Sequence, residues 1–191
     1  MISQIFETTA LDLLRQDGTT VAAATALQGK KYVLLLFSAS WCPPCRIFTP
    51  QLATFHESFH RSHNFEVVFF SQDRDESSML AYFFNPKYSR SAFRGGEGSH
   101  GNWLAVPYAQ AKTVGAALMR RHKILGIPTV LVFDLESGEL VTGNARNLVV
   151  QHLHTAEGFP WAGSAEAETQ SSAWQHLVAM LVFVVLYYLW R

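Results

Sequence analysis

The two cysteines of the chain, Cys42 and Cys45, stand between an apolar run and a segment with helical periodicity. Residues 32–37 read Tyr-Val-Leu-Leu-Leu-Phe, and a short apolar run of this kind predicts a buried strand. After Cys45, apolar residues recur at the spacing of one helix face, at Phe48, Leu52, Phe55 and Phe59. The sequence therefore predicts a strand that turns directly into a helix, with Cys42 at the helix N-terminus.

This placement predicts a redox function for the cysteine pair. Pro43 suits the first position of the helix, because the N–H group it lacks would have no partner there. The positive end of the helix dipole faces the Cys42 sulfur and favours the thiolate, which is the species that attacks a disulfide. Cys45 lies one turn further on and can then form a disulfide with Cys42, which releases the bound partner. We predict a site of dithiol–disulfide exchange.

Two other interpretations of the cysteine pair are weaker. A zinc site needs further ligands, and no second cysteine pair is present to complete one. A purely structural disulfide between Cys42 and Cys45 would close too small a loop to constrain the unfolded chain. We therefore predict no metal, and no cofactor other than the Cys42–Cys45 disulfide itself.

Composition limits the remaining possibilities. A chain of 191 residues can bury one complete core and carry additional segments. Fifteen basic residues balance fifteen acidic ones, which gives no indication of a nucleic-acid partner. A single cysteine pair argues against a disulfide scaffold and favours a reducing compartment.

The pattern along the chain predicts an α/β fold with a central mixed β-sheet flanked by helices. A hairpin is expected around Asp17 and Gly18, because this dipeptide is typical of turns. Further strands are predicted at residues 66–71, 130–134 and 139–142, and further helices at 75–84, 108–123 and 145–154. Residues 85–102 are basic and glycine-rich, and predict a flexible surface insertion.

Three histidines, His56, His60 and His63, follow the spacing of one helix face. We interpret them as a solvated stripe beside the apolar face of the same helix. A metal site is the alternative, with Glu57 and Glu66 as the nearby carboxylates.

With these elements placed, residues 11–161 resemble the thioredoxin superfamily. Residues 37–46, followed by Phe48-Thr49-Pro50, are similar to the tryparedoxin and nucleoredoxin branch of that superfamily. Further similarities to this branch lie at residues 103–107, 127–129, 145–146 and 159–161.

The resemblance implies a role for each residue of the site. It makes Cys42 the nucleophile and Cys45 the resolving thiol. It implies a cis peptide bond before Pro128, with Ile127 offering backbone groups to an extended substrate. It also places Trp41 over the site as a flat apolar wall. Pro43, Pro44, Arg146 and Asp73 are the further substrate-binding residues that it implies.

Two arginines keep a second interpretation. Arg46 either favours the Cys42 thiolate electrostatically or is a solvated helix residue. Arg146 corresponds to the substrate-side arginine of the branch, but could instead form an ion pair with Asp73.

The chain also departs from the family pattern. Leu36 occupies the position at which thioredoxins have a buried aspartate and tryparedoxins usually a tyrosine, so that route for protons is absent and water must serve. Where tryparedoxins commonly have Trp-Asp-Glu, this chain has Gln72, Asp73 and Arg74. Arg74 reverses the charge at the place where a cationic dithiol such as trypanothione would approach.

The resemblance implies a protein-disulfide oxidoreductase. We expect it to relay electrons from a small dithiol, such as trypanothione, or from a reductase to protein disulfides or a peroxiredoxin. The alternative is a membrane-tethered binding or redox-sensing module that uses the same fold without turnover.

The C-terminal segment predicts a membrane anchor. Every residue from 177 to 186 is apolar, so a helix there has no face for water. Residues 173–190 are long enough to span a bilayer, with aromatic residues at both edges, and residues 162–172 read as a polar linker. A helix docked on the domain or on a second copy is the alternative.

The position of this segment predicts where the protein resides. The first twelve residues do not read as a secretory signal, so the anchor is expected to insert after translation with the catalytic domain facing the cytosol. A short span favours a thin membrane. We predict the mitochondrial outer membrane, with the endoplasmic reticulum as the alternative.

Overall fold

The computed structural model describes residues 2–8, 10–84 and 100–163, which form an α/β fold on one mixed sheet of seven strands. The strands are β1 (Asp12–Leu14), β2 (Thr20–Ala22), β3 (Tyr32–Ser38), β4 (Phe65–Ser71), β5 (Leu104–Ala105), β6 (Thr129–Asp134) and β7 (Leu140–Thr142). The helices are α1 (Ile2–Phe6), α2 (Ala23–Ala26), α3 (Pro43–Phe59), α4 (Glu76–Phe83), α5 (Tyr108–Arg121) and α6 (Ala145–Gln151). The predicted fold class is confirmed.

Strand β3 lies near the middle of the sheet, whose order is β2-β1-β5-β4-β3-β6-β7. It pairs in parallel with β4 and antiparallel with β6. Because β3 and β4 are parallel and Ser38 pairs with Ser71, their carboxyl ends lie side by side. The turn that follows β3 and the loop that follows β4 therefore meet at one edge of the sheet.

The continuous apolar sequence of β3 is explained by burial on both faces of the sheet. Leu34 and Leu36 contribute to the core on the face covered by α3, α4 and α6. Val33, Leu35 and Phe37 point the other way, into the core formed with α1, α2 and α5. A strand that is covered on both sides has no position for a polar residue, and alternation is lost.

Strand β5 and helix α1 were not predicted. Strand β5 has only two residues, yet Ala105 pairs with Leu14 of the hairpin and Leu104 with Val68 of β4, so it joins the hairpin to the sheet. Helix α1 buries Ile5 and Phe6 completely. Both elements depend on contacts with distant parts of the chain, and two or five residues carry too little periodicity to predict them.

The surface insertion predicted at residues 85–102 falls mostly outside the described residues, which resume at residue 100. The insertion therefore stays a prediction, although at its C-terminal end the Nε2 atom of His100 is buried. The His100 imidazole packs against the rings of Phe69, Tyr82, Phe83 and Trp103. These four aromatic neighbours come from β4, from α4 and from the residue before β5.

The interpretation of the histidines as a solvated stripe is wrong. His56 is buried, and its Nε2 lies 3.0 Å from Oε1 of Glu66. The His60 ring stacks on that of His56 at 4.3 Å, and His63 packs against Phe159. Helix α3 is covered along this face by β4 and by the segment after α6. Among the described residues, no group of three potential ligands is placed to hold a metal ion.

The carboxylate of Glu66 joins two basic groups across this cluster. Oε2 of Glu66 lies 3.5 Å from Lys30 Nζ, and Oε1 accepts a hydrogen bond from the backbone N–H of Val67. Burial raises the pKa of Glu66, but the hydrogen bond and charge of His56, with Val67 and Lys30, outweigh it and hold the pKa below its ordinary value.

The predicted anchor at residues 173–190 and most of the predicted linker lie outside the described residues. Within the part of the chain that the structure describes, no helix combines the length and the apolar character needed to cross a membrane.

Candidate active site

The cysteine pair lies at the junction that the sequence predicts. Cys42 is the N-cap residue of α3, Pro43 begins the helix, and Cys45 lies in its first turn. The two cysteines form a disulfide with their Cα atoms 5.2 Å apart. Cys42 is 4% exposed, whereas Cys45 is completely buried. Of the two cysteines, Cys42 is therefore the one that retains a small exposed area.

The first turn of α3 creates a favourable environment for a negative charge on Cys42. Pro43 and Pro44 have no N–H group, so the first unpaired amide of the helix belongs to Cys45. The next amide, that of Arg46, donates to the carbonyl oxygen of Cys42 over 3.1 Å. No acidic residue lies in this turn to oppose the helix dipole. Arg46 itself is half-buried, and both interpretations of its charge remain open.

A second loop closes the site from the side of β6. The Ile127–Pro128 peptide bond is cis, as the resemblance implied. The carbonyl oxygen of Ile127 lies 3.7 Å from Cys42 Sγ. The side chain of Ile127 packs against Ala39 and both cysteines. Pro128 is buried behind it. Ile127 therefore has a backbone carbonyl next to the sulfur that a substrate would approach, and its role in binding stays a prediction.

Trp41 stands beside the disulfide on the surface rather than in the core. Its side chain is 53% exposed, and its Nε1–H donates to the carbonyl oxygen of Gln72 over 3.2 Å. A hydrogen bond at one end of the indole leaves most of the ring facing solvent. This position is compatible with the predicted apolar wall, and it excludes a plain core role.

Asp73 is placed differently from the substrate-binding role that the resemblance implied. Its carboxylate is completely buried: Oδ1 accepts from both the N–H (2.8 Å) and the hydroxyl (2.7 Å) of Ser40, and Oδ2 accepts from the hydroxyl of Ser71 (2.8 Å). A carboxylate occupied in this way cannot meet a substrate at the surface in this conformation. It instead holds the turn between β3 and α3 in place.

Asp73 and Arg146 do not form the alternative ion pair, because the Asp73 carboxylate binds Ser40 and Ser71 instead. Arg146 is exposed on α6 and lines a groove of about 340 Å³ between α3 and α6. Pro44, Ile47 and Val150 line the same groove. Arg146 thus lies exposed beside the helix that carries the cysteines, and its role in substrate binding stays a prediction.

Beneath Cys45 lies a chain of hydroxyl groups that the sequence did not reveal. Leu36 is fully buried in the core, and its aliphatic side chain has no group that could carry a proton. The Thr49 hydroxyl donates to the carbonyl oxygen of Cys45 over 2.9 Å and lies 2.8 Å from the Tyr82 hydroxyl, which lies 3.4 Å from Ser38 Oγ. The i, i+4 spacing of Cys45 and Thr49 was readable from the sequence, but the approach of Tyr82 from α4 was not.

Comparison with known proteins agrees with the geometry of the site. A family model described as thioredoxin-like matches residues 29–140. Over 152 residues the chain is 38% identical to tryparedoxin of Trypanosoma brucei brucei, covering 80% of this chain and 92% of that protein. It is 35% identical over 156 residues to nucleoredoxin of Homo sapiens, covering 81% of this chain but only 31% of the relative.

Among solved structures, tryparedoxin II complexed with glutathionylspermidine aligns with a TM-score of 0.68 and 31% sequence identity. The alignment covers 82% of this chain and 96% of that one. The similarity therefore extends over the whole tryparedoxin structure and over about a third of the longer human nucleoredoxin.

Proposed function

The chain belongs to the thioredoxin-like family, as a thiol–disulfide oxidoreductase of the tryparedoxin and nucleoredoxin type, and we propose that it reduces disulfide bonds in proteins. The observation that carries this proposal is the unequal burial of the pair: Cys42 keeps 4% of its surface exposed, and Cys45 keeps none. One sulfur can be attacked or attack from outside, while the other reacts only with its neighbour.

In the proposed cycle, the reduced Cys42 thiolate attacks one sulfur of the client disulfide. A mixed disulfide forms and the first client sulfur leaves as a thiolate. The Cys45 thiol then loses its proton and attacks Cys42 Sγ, which releases the second client thiolate and forms the Cys42–Cys45 disulfide. Two electrons pass from the enzyme dithiol to the client, and a second dithiol, or two molecules of a monothiol such as glutathione, must return them to complete the cycle.

The surface around Cys42 supports a protein as the client. Large apolar side chains are exposed on the segments that carry the site: Trp41 (53%) precedes Cys42, Ile47 (71%) lies on α3, and Leu125 (98%) lies two residues before Ile127. Large apolar side chains at this exposure are favourable where a partner covers them. Pro43 and Pro44 are also exposed, and with Ile127 they complete the proposed contact surface. A peroxiredoxin is one client class that we propose.

For the reductant we propose a small dithiol. Tryparedoxin II has been solved in complex with glutathionylspermidine. In this chain, Arg146 lies in the groove beside the cysteine helix. Arg74, exposed near Trp41, disfavours the polyamine portion of such a ligand. We therefore expect glutathione or a reductase system to compete well with trypanothione.

We further propose that residues 173–190 tether the domain to a membrane, with the catalytic site facing the cytosol. The support is the uninterrupted apolar sequence of residues 177–186. The mitochondrial outer membrane is our first choice and the endoplasmic reticulum the second.

Reduction of insulin by the full chain, with dithiothreitol and then glutathione as electron donor, tests the proposed activity. Wild type should turn over, and Cys42→Ser should be inactive with both donors. Cys45→Ser should also stop turning over, but should accumulate a client covalently bound to Cys42. Turnover by Cys42→Ser, or the absence of turnover by wild type, would contradict the proposal. A folded, inactive wild type that still binds clients would favour the alternative function, a binding module without turnover.

A further inference from the structure

The loop after β4, residues 72–74, connects the active-site turn to helix α5. On the side of the active site, the carbonyl oxygen of Gln72 accepts the indole N–H of Trp41, and the carboxylate of Asp73 holds Ser40. Trp41 is half exposed, and this hydrogen bond fixes one end of its ring. The position of the indole ring therefore depends on where the backbone of this loop lies.

On its other side, the loop is held by one face of α5. Tyr108, Lys112 and Gly115 follow the i, i+4, i+7 spacing that places residues along a single helix face. The Tyr108 hydroxyl donates to the carbonyl oxygen of Arg74 over 2.5 Å, and the Lys112 ammonium donates to the carbonyl oxygen of Asp73. These two hydrogen bonds hold the carbonyl groups of two successive loop residues.

Gly115 allows this close approach of the helix. A Cβ atom at this position would lie 3.2 Å from Cδ1 of Phe70 and 3.8 Å from Nε2 of Gln72. Without the side chain, α5 comes near enough to the end of β4 for Tyr108 and Lys112 to reach the loop.

We propose that Lys112 is a positioning residue for disulfide exchange, acting through the loop at residues 72–74 on Trp41. Lys112 is exposed, and an exposed lysine normally retains its rotamer freedom in water. Here the ammonium is fixed by the Asp73 carbonyl and also lies 5.0 Å from the centre of the Tyr108 ring. Both interactions favour one rotamer, which stabilises the loop in the conformation that presents the preceding carbonyl group, that of Gln72, to the indole.

This inference rests on the proposed role of Trp41 as a wall of the client site. Removal of the ammonium should let the loop and the indole move together. Misplacement of a group that orients a reacting partner lowers the rate without removing the chemistry. The cysteines, their helix and the cis-proline loop are untouched by a change at Lys112.

A double-mutant cycle on the full chain tests the proposal. Lys112→Met keeps the aliphatic stem and removes the charged donor, and kcat/KM for insulin should fall about tenfold, the ratio typical of losing one charged hydrogen bond. Lys112→Arg should restore most of this loss. Lys123→Met, two residues beyond the end of α5, is the matched control and should leave kcat/KM unchanged. Tyr108→Phe removes the neighbouring donor and should act in the same direction as Lys112→Met.

The decisive measurement is made in a Trp41→Ala background. If Lys112 acts through Trp41, Lys112→Met should change kcat/KM by less than about twofold there, because interacting residues are not additive. The ¹⁹F resonance of Trp41 in 5-fluorotryptophan-labelled protein, assigned with Trp41→Phe, should shift in Lys112→Met.

Three results would overturn the inference. One is an unchanged kcat/KM in Lys112→Met, and another is a full Lys112 effect that persists without Trp41. The third is a Trp41→Ala enzyme with wild-type kcat/KM, which would remove the role of Trp41 but leave the cysteine chemistry standing. Failure of the wild-type protein to reduce insulin with any dithiol as electron donor would instead contradict the proposed function.

Discussion

The hydroxyl oxygen of Tyr82 lies 2.8 Å from Oγ1 of Thr49, in a buried position below the cysteine helix. Thr49 has one hydroxyl proton, and it donates that proton to the carbonyl oxygen of Cys45. Tyr82 must therefore donate to Thr49, and its own oxygen can accept from Ser38. The chain of donors runs from Ser38 at the end of β3, through Tyr82 on α4 and then Thr49, to the backbone carbonyl of Cys45.

Replacing Thr49 by valine should destabilise the protein by about 1–2 kcal/mol, because the buried carbonyl of Cys45 loses its hydroxyl donor and Tyr82 loses an acceptor. Tyr82→Phe should cost less, about 1 kcal/mol, since Thr49 keeps its bond to Cys45. Urea unfolding of the oxidised proteins measures both values. An equal or smaller loss for Thr49→Val would show that the bond to Cys45 contributes nothing.

Phe55 anchors the cysteine helix to the chain after α6. It is completely buried, and its ring lies 5.6 Å from that of Trp161 and 5.7 Å from that of Phe65. Phe55→Ala should therefore lower the free energy of unfolding by about 3–5 kcal/mol, through lost burial and the cavity left behind. Phe59→Ala, on a half-buried ring one turn along, is the control and should cost clearly less in the same urea titration.

The active-site strand and helix could be predicted because their signals are local. Strand β3 is a continuous apolar run, and α3 follows with a regular apolar face and a proline at its first position. The strand predicted from residues 32–37 and the predicted start of the helix after Cys42 are both confirmed. Periodicity and proline position depend only on neighbouring residues.

The positions of polar side chains could not be predicted in the same way. Asp73 was expected to face a substrate, and His56 to face solvent; both are buried with polar partners from other elements. The burial of each depends on which strand lies beside which, as in the parallel pairing of Ser38 with Ser71. A single sequence does not contain that information.

The proposed anchor predicts how the protein fractionates in cells. Full-length protein should remain in the membrane pellet after extraction with alkaline carbonate, because an apolar helix in lipid is not released by charge or pH. A chain ending at Ser164 should be released. Release of both proteins would contradict the anchor, and retention of both would assign membrane binding to the domain itself.

His100 connects the stability of the fold to pH. Its imidazole is enclosed by the rings of Phe69, Tyr82, Phe83 and Trp103, and Trp103 Nε1–H donates to its Nδ1 over 3.2 Å. Burial lowers the pKa of His100 from 6.5 to about 3. Of the four enclosing side chains only Tyr82 is itself ionisable, and none is a carboxylate that could stabilise the imidazolium.

Because the pKa of His100 is lower in the folded than in the unfolded protein, the unfolded state binds the extra proton between these two values. The free energy of unfolding should therefore decrease as the pH falls below 6.5, by up to about 1.4 kcal/mol per pH unit from this residue. His100→Gln cannot titrate but can still accept from Trp103, so its stability curve should be shallower by that amount. Urea unfolding between pH 6.5 and 5 measures the difference between the two proteins. This range lies above the ordinary pKa of Glu66. Burial also lowers the pKa of His60, but that residue contributes equally to both proteins. Parallel curves for the two proteins would mean that His100 is not buried as a neutral ring in solution.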